Sequence, residues 1–562
     1  MSSGGCQLSA MAGVLLGLAA LAALPASGAA QDAGWRYRRL DLDITTDPAR
    51  SILEVRGRAV LEVTAATVSE LELGVNTRVH AFAFRDVSTT RPGTRVSLAA
   101  DSVLDRARIV LSEPLTRGDK LPVEFELEWL EPSFQVVAAD SIVLASWVEA
   151  WYPIPLGPGG AMRPWAAPGQ TRFRLPPGWR AVTNGALLST TTLPDGGMAE
   201  VWETLDAVHR SFVAGPYRVA RAEVGGREVG VYLLHADTAS ARRQASTLAQ
   251  AIEAMERVWG PYPYAGYAIA ELPQTAVTWS ASSEQGFIMA TSSQFGADGN
   301  LPLFAHEAAH GWWGNRVQTT GAGAQLLSES LAQYGAVVAI EGVDAMREFL
   351  RFSRRGYNQL QSAAGYFEIV RRGGDRPLAE LANGAWDHNL SDSKGHWFYH
   401  MLRQRVGDER FFSVLRELQR AHAGRTLSLD ELRAAFVSDA PDAAAMAEFL
   451  AQWLDRTGAP VLKHRWWSSN GGAAVDIELA QLQPQLYDVP LTIEIRLQNG
   501  HRVRRTLQLR DRAQSFTIPV HARAVAVRTD PDHQLLHWRP EYGPVPLDAQ
   551  RAGDTPAPGA AR

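Results

Sequence analysis

The spacing of apolar residues changes twice along this chain, and each change restricts the surface a segment can bury. Over residues 35–217 apolar and polar positions alternate, as in RYRRLDLDI, RGRAVLEVTA, LPVEFELEWL and VWETLDAV. A period of two puts the apolar set on one face of an extended strand, and Pro, Gly and Asp punctuate the runs as turn residues do. From about residue 218 the period lengthens. SARRQASTLAQAIEAMERVWG has helical spacing and ends at Gly260, a suitable C-cap, with Pro261 next. Helical patterns run on to about Leu454, WLDRTGAPVL marks a helix end and hinge, and strand patterns return over residues 463–540. A chain of 562 residues exceeds what one core organises. The reading is an α+β multidomain fold: an antiparallel β domain at residues 31–217, a mostly helical domain at 218–460 and a small β-sandwich at 461–541. Residues 542–562, rich in Ala, Pro and Gly, read as a disordered tail.

Two further features limit the function. The formal net charge of -5 supplies no field that would recruit nucleic acid or anionic lipid. At the N-terminus an uncharged apolar run over residues 10–24 is followed by Ser27, Gly28, Ala29 and Ala30. This reads as a secretory signal peptide cut near Ala30, which makes the mature chain secreted or periplasmic. The run is short for a membrane span; an uncleaved N-terminal membrane anchor is the alternative. Cys6 is the one cysteine and would leave with the signal, so the mature chain has no disulfide, thiolate ligand or thiol nucleophile. No later segment is apolar enough to form a stable membrane span.

FAHEAAHGWWGNRV places His306 and His310 four residues apart, with Glu307 directly after the first. PLFAHEAAHGWW has no breaker before Gly311, and at 3.6 residues per turn the two imidazoles project from one helix face. Glu307 is then placed beside a metal-activated water, the HExxH arrangement of zinc peptidases. A second helical stretch, LLSESLAQYGAVVAI, carries Glu329 eighteen residues beyond His310. Two histidines and a glutamate leave a fourth position open, which distinguishes a catalytic zinc site from a structural one. His306, His310 and Glu329 are therefore the expected ligands of one zinc ion, and Glu307 the general base. Cobalt or manganese suits the same donors.

HEAAHGWWGNRV followed by Glu329 resembles the gluzincin metallopeptidases of the membrane alanyl aminopeptidase family. WYP at 151–153, VTNG at 182–185 and FVAGPY at 212–217 are similar to its N-terminal domain. WGPYPY and ELP resemble the approach to its active site, and SKG at 393–395 with QWLDRTGAPVL resembles the end of its catalytic domain. The resemblance implies a β N-domain, a thermolysin-like catalytic domain, a small β-sandwich, a peptide substrate and aminopeptidase activity. The family's long C-terminal helical domain has no counterpart in these residues, so a more open cleft is expected.

Two stretches depart from the family pattern. The family reads a peptide's free amine with Gly-x-Met-Glu-Asn on an edge strand, where this chain has WSASSEQGFIM. Ungapped alignment on Gly286 puts Ser283 at the glutamate position and Glu284 at the asparagine position. Along a strand that offset turns Glu284 to the opposite face unless a bulge restores it. The family also places a tyrosine two residues before a Lys-Gly pair, whose hydroxyl donates to the tetrahedral intermediate. Here LSDSKG puts Asp392 there, and an ionised aspartate donates nothing. Tyr399, His396 and Tyr366 are the nearby substitutes, Tyr399 being close to the same helix face. Asn315 and Arg316 are candidate buttresses of the zinc helix, Trp312 and Trp313 candidate cleft walls, and Glu271 a structural carboxylate.

Three readings follow. The first is a zinc-dependent metallopeptidase, most simply an aminopeptidase. The second is an endopeptidase of altered specificity, lacking an amine anchor. The third is a catalytically impaired zinc-binding, peptide-binding protein on the same fold, which Asp392 favours and the intact Glu307 opposes.

Overall fold

The computed structural model describes residues 34–546 apart from 48–51, 76–81, 101–104, 131–135, 140–141, 158–165, 236, 278, 297–298, 341–349 and 352–361. The signal peptide expected at residues 1–30, and residues 547–562 of the expected tail, lie outside the described residues. No helix among the described residues is long and apolar enough to cross a membrane. The chain divides into two compact units, Met1–Arg316 and Val317–Arg562.

The first unit begins with the expected β domain. Its largest sheet has seven strands in the order Ala186–Thr192, Met198–Val208, Ala167–Leu175, Trp35–Asp47, Ile52–Val63, Lys120–Trp129, Phe82–Ser88. All neighbours are antiparallel except Trp35–Asp47 with Ala167–Leu175. Two four-stranded sheets complete the domain. Alternation is visible in burial: Leu40, Leu42 and Ile44 are buried, while Arg36, Arg38 and Arg39 are exposed. The adjacent pair Arg38–Arg39 coincides with a register shift between Tyr37 and Arg39, so the doubled polar residue marks a bulge.

The same unit then departs from the helical pattern read from residue 218 onward. Residues 218–291 contribute a five-stranded mixed sheet, ordered Arg218–Val224, Arg227–Leu233, Tyr267–Leu272, Phe287–Thr291, Ala281–Glu284. Arg227–Leu233, Tyr267–Leu272 and Phe287–Thr291 run parallel. Every residue of Tyr267–Leu272 and Phe287–Thr291 is buried. A strand covered on both faces shows no period-two alternation, so YAIAEL and FIMAT lack the signal that identified the earlier strands. The helix Thr238–Trp259 is the crossover between the first parallel pair, capped by the Asp237 side chain accepting from the Ser240 amide, and it stops at Gly260 with φ 93°.

The second unit is helical up to Leu454 and then β. Its helices include Leu331–Ile340, Ala363–Arg371, His396–Val406, Asp408–Ala421, Leu429–Ser438 and Ala443–Leu454, and Leu429–Ser438 opens with a Ser428–Glu431 capping box. The segment read as a hinge is firmly tied: Asp375 accepts from the Gly458 amide at 2.5 Å, and the Tyr487 hydroxyl donates to the Thr457 carbonyl at 3.0 Å. Two three-stranded antiparallel sheets follow, with Val475, Ile477 and Leu479 buried on one and Leu491, Ile493 and Ile495 on the other. The start of the segment read as a tail is packed: Tyr542 is buried and stacks on Phe367, and the Arg371 guanidinium donates to the Pro544 carbonyl.

One close approach in the seven-stranded sheet is testable. Gly57 pairs with Phe125 across the sheet, and a Cβ at Gly57 would overlap the Phe125 ring. Gly57→Ala must displace that ring within a filled core and is expected to lower stability by about 1–3 kcal/mol, measured as a reduced midpoint of denaturant unfolding.

Candidate metal centre

The helix Leu301–Ala309 and its C-cap His310 carry the HExxH residues. Pro302 lies in the first turn, where no amide donor is lost, and the Asn300 side chain accepts from the Leu303 amide at 3.3 Å. Four residues of helical pitch bring the two imidazoles together: His306 Nε2 and His310 Nε2 are 3.3 Å apart, with ring planes at 87°. Two nitrogens bound to one tetrahedral zinc at 2.0–2.1 Å would be about 3.4 Å apart. His310 Nδ1 is 3.0 Å from the Trp313 carbonyl oxygen. A carbonyl only accepts, so Nδ1 carries the hydrogen and Nε2 is the lone-pair nitrogen. The pair fits a metal ion without rearrangement.

Glu307 is buried beside them. Burial chiefly, and then the Glu307 charge, push the Tyr267 hydroxyl's pKa well up, which places that carboxylate within electrostatic reach of Tyr267. The edge strand Ala281–Glu284 locks the helix: the Ser283 hydroxyl donates to the Glu307 carbonyl at 2.8 Å. The Asn315 amide in turn donates to the Ser283 hydroxyl at 3.3 Å and the Glu284 carbonyl at 3.2 Å, so Asn315 ties the helix's far end to the same strand.

Glu284 faces the other way. The strand pairs with Phe287–Thr291 in continuous register, Ser283 opposite Ile288 and Glu284 opposite Phe287, with no bulge. Its carboxylate accepts from the Ser146 hydroxyl at 3.0 Å and the Ser211 hydroxyl at 2.8 Å, in the interior of the β domain. Burial raises its pKa above the ordinary carboxylate value, and hydrogen bonds from Ser211, Ser146 and Ser282 only partly oppose this. The side chain turned toward the ligand helix is therefore the hydroxyl of Ser283. Glu271 is structural as expected: its carboxylate accepts from the Leu234 amide at 2.8 Å. Trp313 stacks edge-on against Trp259, and Trp312 against Tyr262.

In the second unit, Glu329 and Asp392 sit on two π-helical turns, Leu326–Ser330 and Ser391–Gly395. The turns pack closely. A Cβ at Gly395 would overlap the Ser330 hydroxyl, which donates to the Ser391 carbonyl at 2.7 Å. A π-turn shifts the helical hydrogen-bond ladder and leaves carbonyls to be satisfied from outside. Tyr399 does this, its hydroxyl donating to the Leu326 carbonyl at 3.0 Å from a fully buried position. That hydroxyl is committed to the backbone. Tyr366 donates to Asp375 at 2.9 Å. His396 is fully buried, and burial drives its pKa down to about 3, so it is neutral. Lys394 donates to the Arg456 carbonyl at 2.8 Å and lies over the Tyr366 ring.

Asp392 is fully buried and faces His388, which belongs to no sequence motif. His388 Nε2 is 3.4 Å from Asp392 Oδ2, and His388 Nδ1 is 3.7 Å from Glu329 Oε2. The signal was present in DHNLSD, where His388 precedes Asp392 by four residues on a helical stretch.

A β domain, a mixed sheet edged by a strand against the helix, and a paired-imidazole HExxH helix match the arrangement that the resemblance to gluzincins implies. Residues 287–453 match the family described as Peptidase family M1 domain, a stretch that takes in His306, Glu307, His310 and Glu329. Human Aminopeptidase RNPEPL1 is 29% identical over 230 residues, 38% of this chain and 31% of the human protein, so the match spans under a third of that relative's length. Legionella pneumophila aminopeptidase A, solved with aspartic acid, superposes with a TM-score of 0.63 at 14% identity, over 91% of this chain and 60% of that one. A mutant M1 zinc metallopeptidase from Deinococcus radiodurans, bound to a Tyr-Ser-Ala substrate, gives 0.57 at 18% identity over 76% of this chain and 96% of that one. These two likenesses are of fold.

The buried carboxylate of Glu284 has a measurable signature. Its folded pKa is raised, so its contribution to stability is full below the unfolded carboxylate range and is lost as pH rises through the folded value. Glu284→Gln removes the charge, keeps one acceptor oxygen and presents an amide donor to the other serine hydroxyl, which then accepts. It is expected to unfold at a higher temperature than the parent at neutral pH, with the difference closing as the pH falls below about 4.3.

Proposed function

We propose that this chain is a zinc-dependent metallopeptidase in which His306, His310 and Glu329 hold one zinc ion and Glu307 is the general base. The observation that carries this reading is the imidazole pair, with Nε2 atoms 3.3 Å apart and the His310 tautomer fixed by the Trp313 carbonyl. Glu329 enters by its spacing from His310 and by the M1 match that spans both residues. Zinc at these donors would supply the Lewis acidity that peptide hydrolysis needs. Glu307 takes a proton from the attacking water on its carboxylate and delivers it to the leaving amine. Ser283 and Asn315 position the ligand helix by fixing the Glu307 carbonyl to the edge strand.

The finer assignment is an aminopeptidase, supported by the likeness to human Aminopeptidase RNPEPL1 and to the Legionella aminopeptidase A structure. One observation favours a second reading, cleavage that does not depend on a free amine. At the edge-strand position where the family pattern has its glutamate this chain has Ser283, and the neighbouring carboxylate of Glu284 is spent on Ser146 and Ser211.

Hydrolysis of free and N-acetylated peptides by the zinc-loaded protein separates these readings. The expected result is stepwise shortening of free peptides from the N-terminus, with acetylated peptides resistant. Glu307→Gln should lower the rate about 100- to 10,000-fold while zinc content is unchanged. Comparable cleavage of both peptide sets would establish the second reading. No turnover with zinc bound would refute the peptidase assignment, and turnover that persists in Glu307→Gln would refute Glu307 as the base.

A further inference from the structure

We propose that Glu329, His388 and Asp392 form a second divalent-cation site, for a transition ion that takes mixed nitrogen and oxygen donors. All three belong to the second unit and lie on neighbouring helical turns, Leu326–Ser330, Asp387–Leu390 and Ser391–Gly395. One ligand atom from each lies within 4.8 Å of the others. The individual separations carry the argument. His388 Nε2 to Asp392 Oδ2 is 3.4 Å and His388 Nδ1 to Glu329 Oε2 is 3.7 Å. Charge-assisted hydrogen bonds between imidazole and carboxylate are about 2.7–2.9 Å long, so both contacts are too long for that. The two separations start from opposite ring nitrogens, and one imidazole gives a single nitrogen to an ion, so one of them is a donor–donor distance of the site; donors sharing one ion at about 2.0–2.2 Å stand about 3–4 Å apart. The His388 Nδ1 atom is buried with no hydrogen-bond partner, while the side chain as a whole keeps 31% exposure, which gives an ion a route in from solvent. Lys394, two residues after Asp392, does not neutralise the pair, because its ammonium is turned to the Arg456 carbonyl and the Tyr366 ring.

One imidazole and two carboxylates suit zinc, manganese or cobalt. The assignment also accounts for the residue that departs most from the family pattern. At the position where the resemblance implies a tyrosine hydroxyl, Asp392 exchanges a hydrogen-bond donor for a metal ligand. Resting on the peptidase reading, an ion held by Glu329, His388 and Asp392 would supply positive charge at the position where the family pattern has a phenol.

The test is zinc stoichiometry. Full-length protein freed of metal by chelator is dialysed against zinc chloride, and bound zinc is counted by elemental analysis for the parent, His306→Ala, His388→Ala and Asp392→Asn, with thermal unfolding as the folding check. The proposal expects two ions in the parent and one in each of the three variants. One ion in the parent, lost in His306→Ala and kept in His388→Ala, would overturn the second site and leave the peptidase reading standing. One ion that survives His306→Ala and is lost in His388→Ala would support the second site and sink the peptidase zinc. Should His388→Ala fail to fold, Asp392→Asn takes its place: an ion count equal to the parent's in that variant contradicts the proposal.

Discussion

The chemistry proposed for this chain depends on one turn of helix. Histidines four residues apart at ordinary helical pitch bring their Nε2 atoms to 3.3 Å, the separation two ligands of a single tetrahedral ion require. Nothing else in the chain has to bend to produce it. The remaining contacts hold that turn in place: the Trp313 carbonyl sets the tautomer of His310, the Ser283 hydroxyl pins the Glu307 carbonyl, and Asn315 anchors the end of the helix to the same strand. Preorganisation of this kind means that binding a metal requires little rearrangement of the unit that holds the imidazoles.

The same edge strand sets the second constraint. Side chains alternate across a strand, so two neighbouring residues cannot both face the helix. Ser283 has the helix side and Glu284 the interior, where two serines satisfy it. The consequence for specificity comes from backbone geometry: without a bulge, a carboxylate at position 284 serves the β domain. In the second unit the corresponding constraint is the close packing of two π-turns, which uses Gly395 for the approach and commits the Tyr399 hydroxyl to a backbone carbonyl.

Much of this was legible in the sequence because it depends on period. The β domain is visible in alternation, down to the Arg38–Arg39 doublet at a bulge, and the helix Thr238–Trp259 in its spacing and its Gly260 stop. The HExxH helix follows from spacing alone, whereas the orientation of Glu284 depended on a bulge that the continuous register of its strand lacks. What sequence hides is whatever depends on three-dimensional cover. Tyr267–Leu272 and Phe287–Thr291 are buried on both faces and carry no alternation, so the mixed sheet beneath the site was read as part of a helical region. The π-turns arise from packing between segments more than sixty residues apart in sequence, which no local pattern encodes. Whether Tyr399 could act as a donor depended on a single partner, the Leu326 carbonyl, and His388 has no motif of its own beyond its spacing from Asp392.

The central claim, that His306 and His310 present two nitrogens to one zinc ion, is tested most directly by zinc K-edge X-ray absorption on protein loaded with a single equivalent of zinc. The account predicts two imidazole nitrogens and oxygen ligands at about 2.0–2.2 Å, with the imidazole scattering reduced in His310→Ala. A zinc shell of oxygen alone, or imidazole scattering unchanged by that substitution, would contradict it.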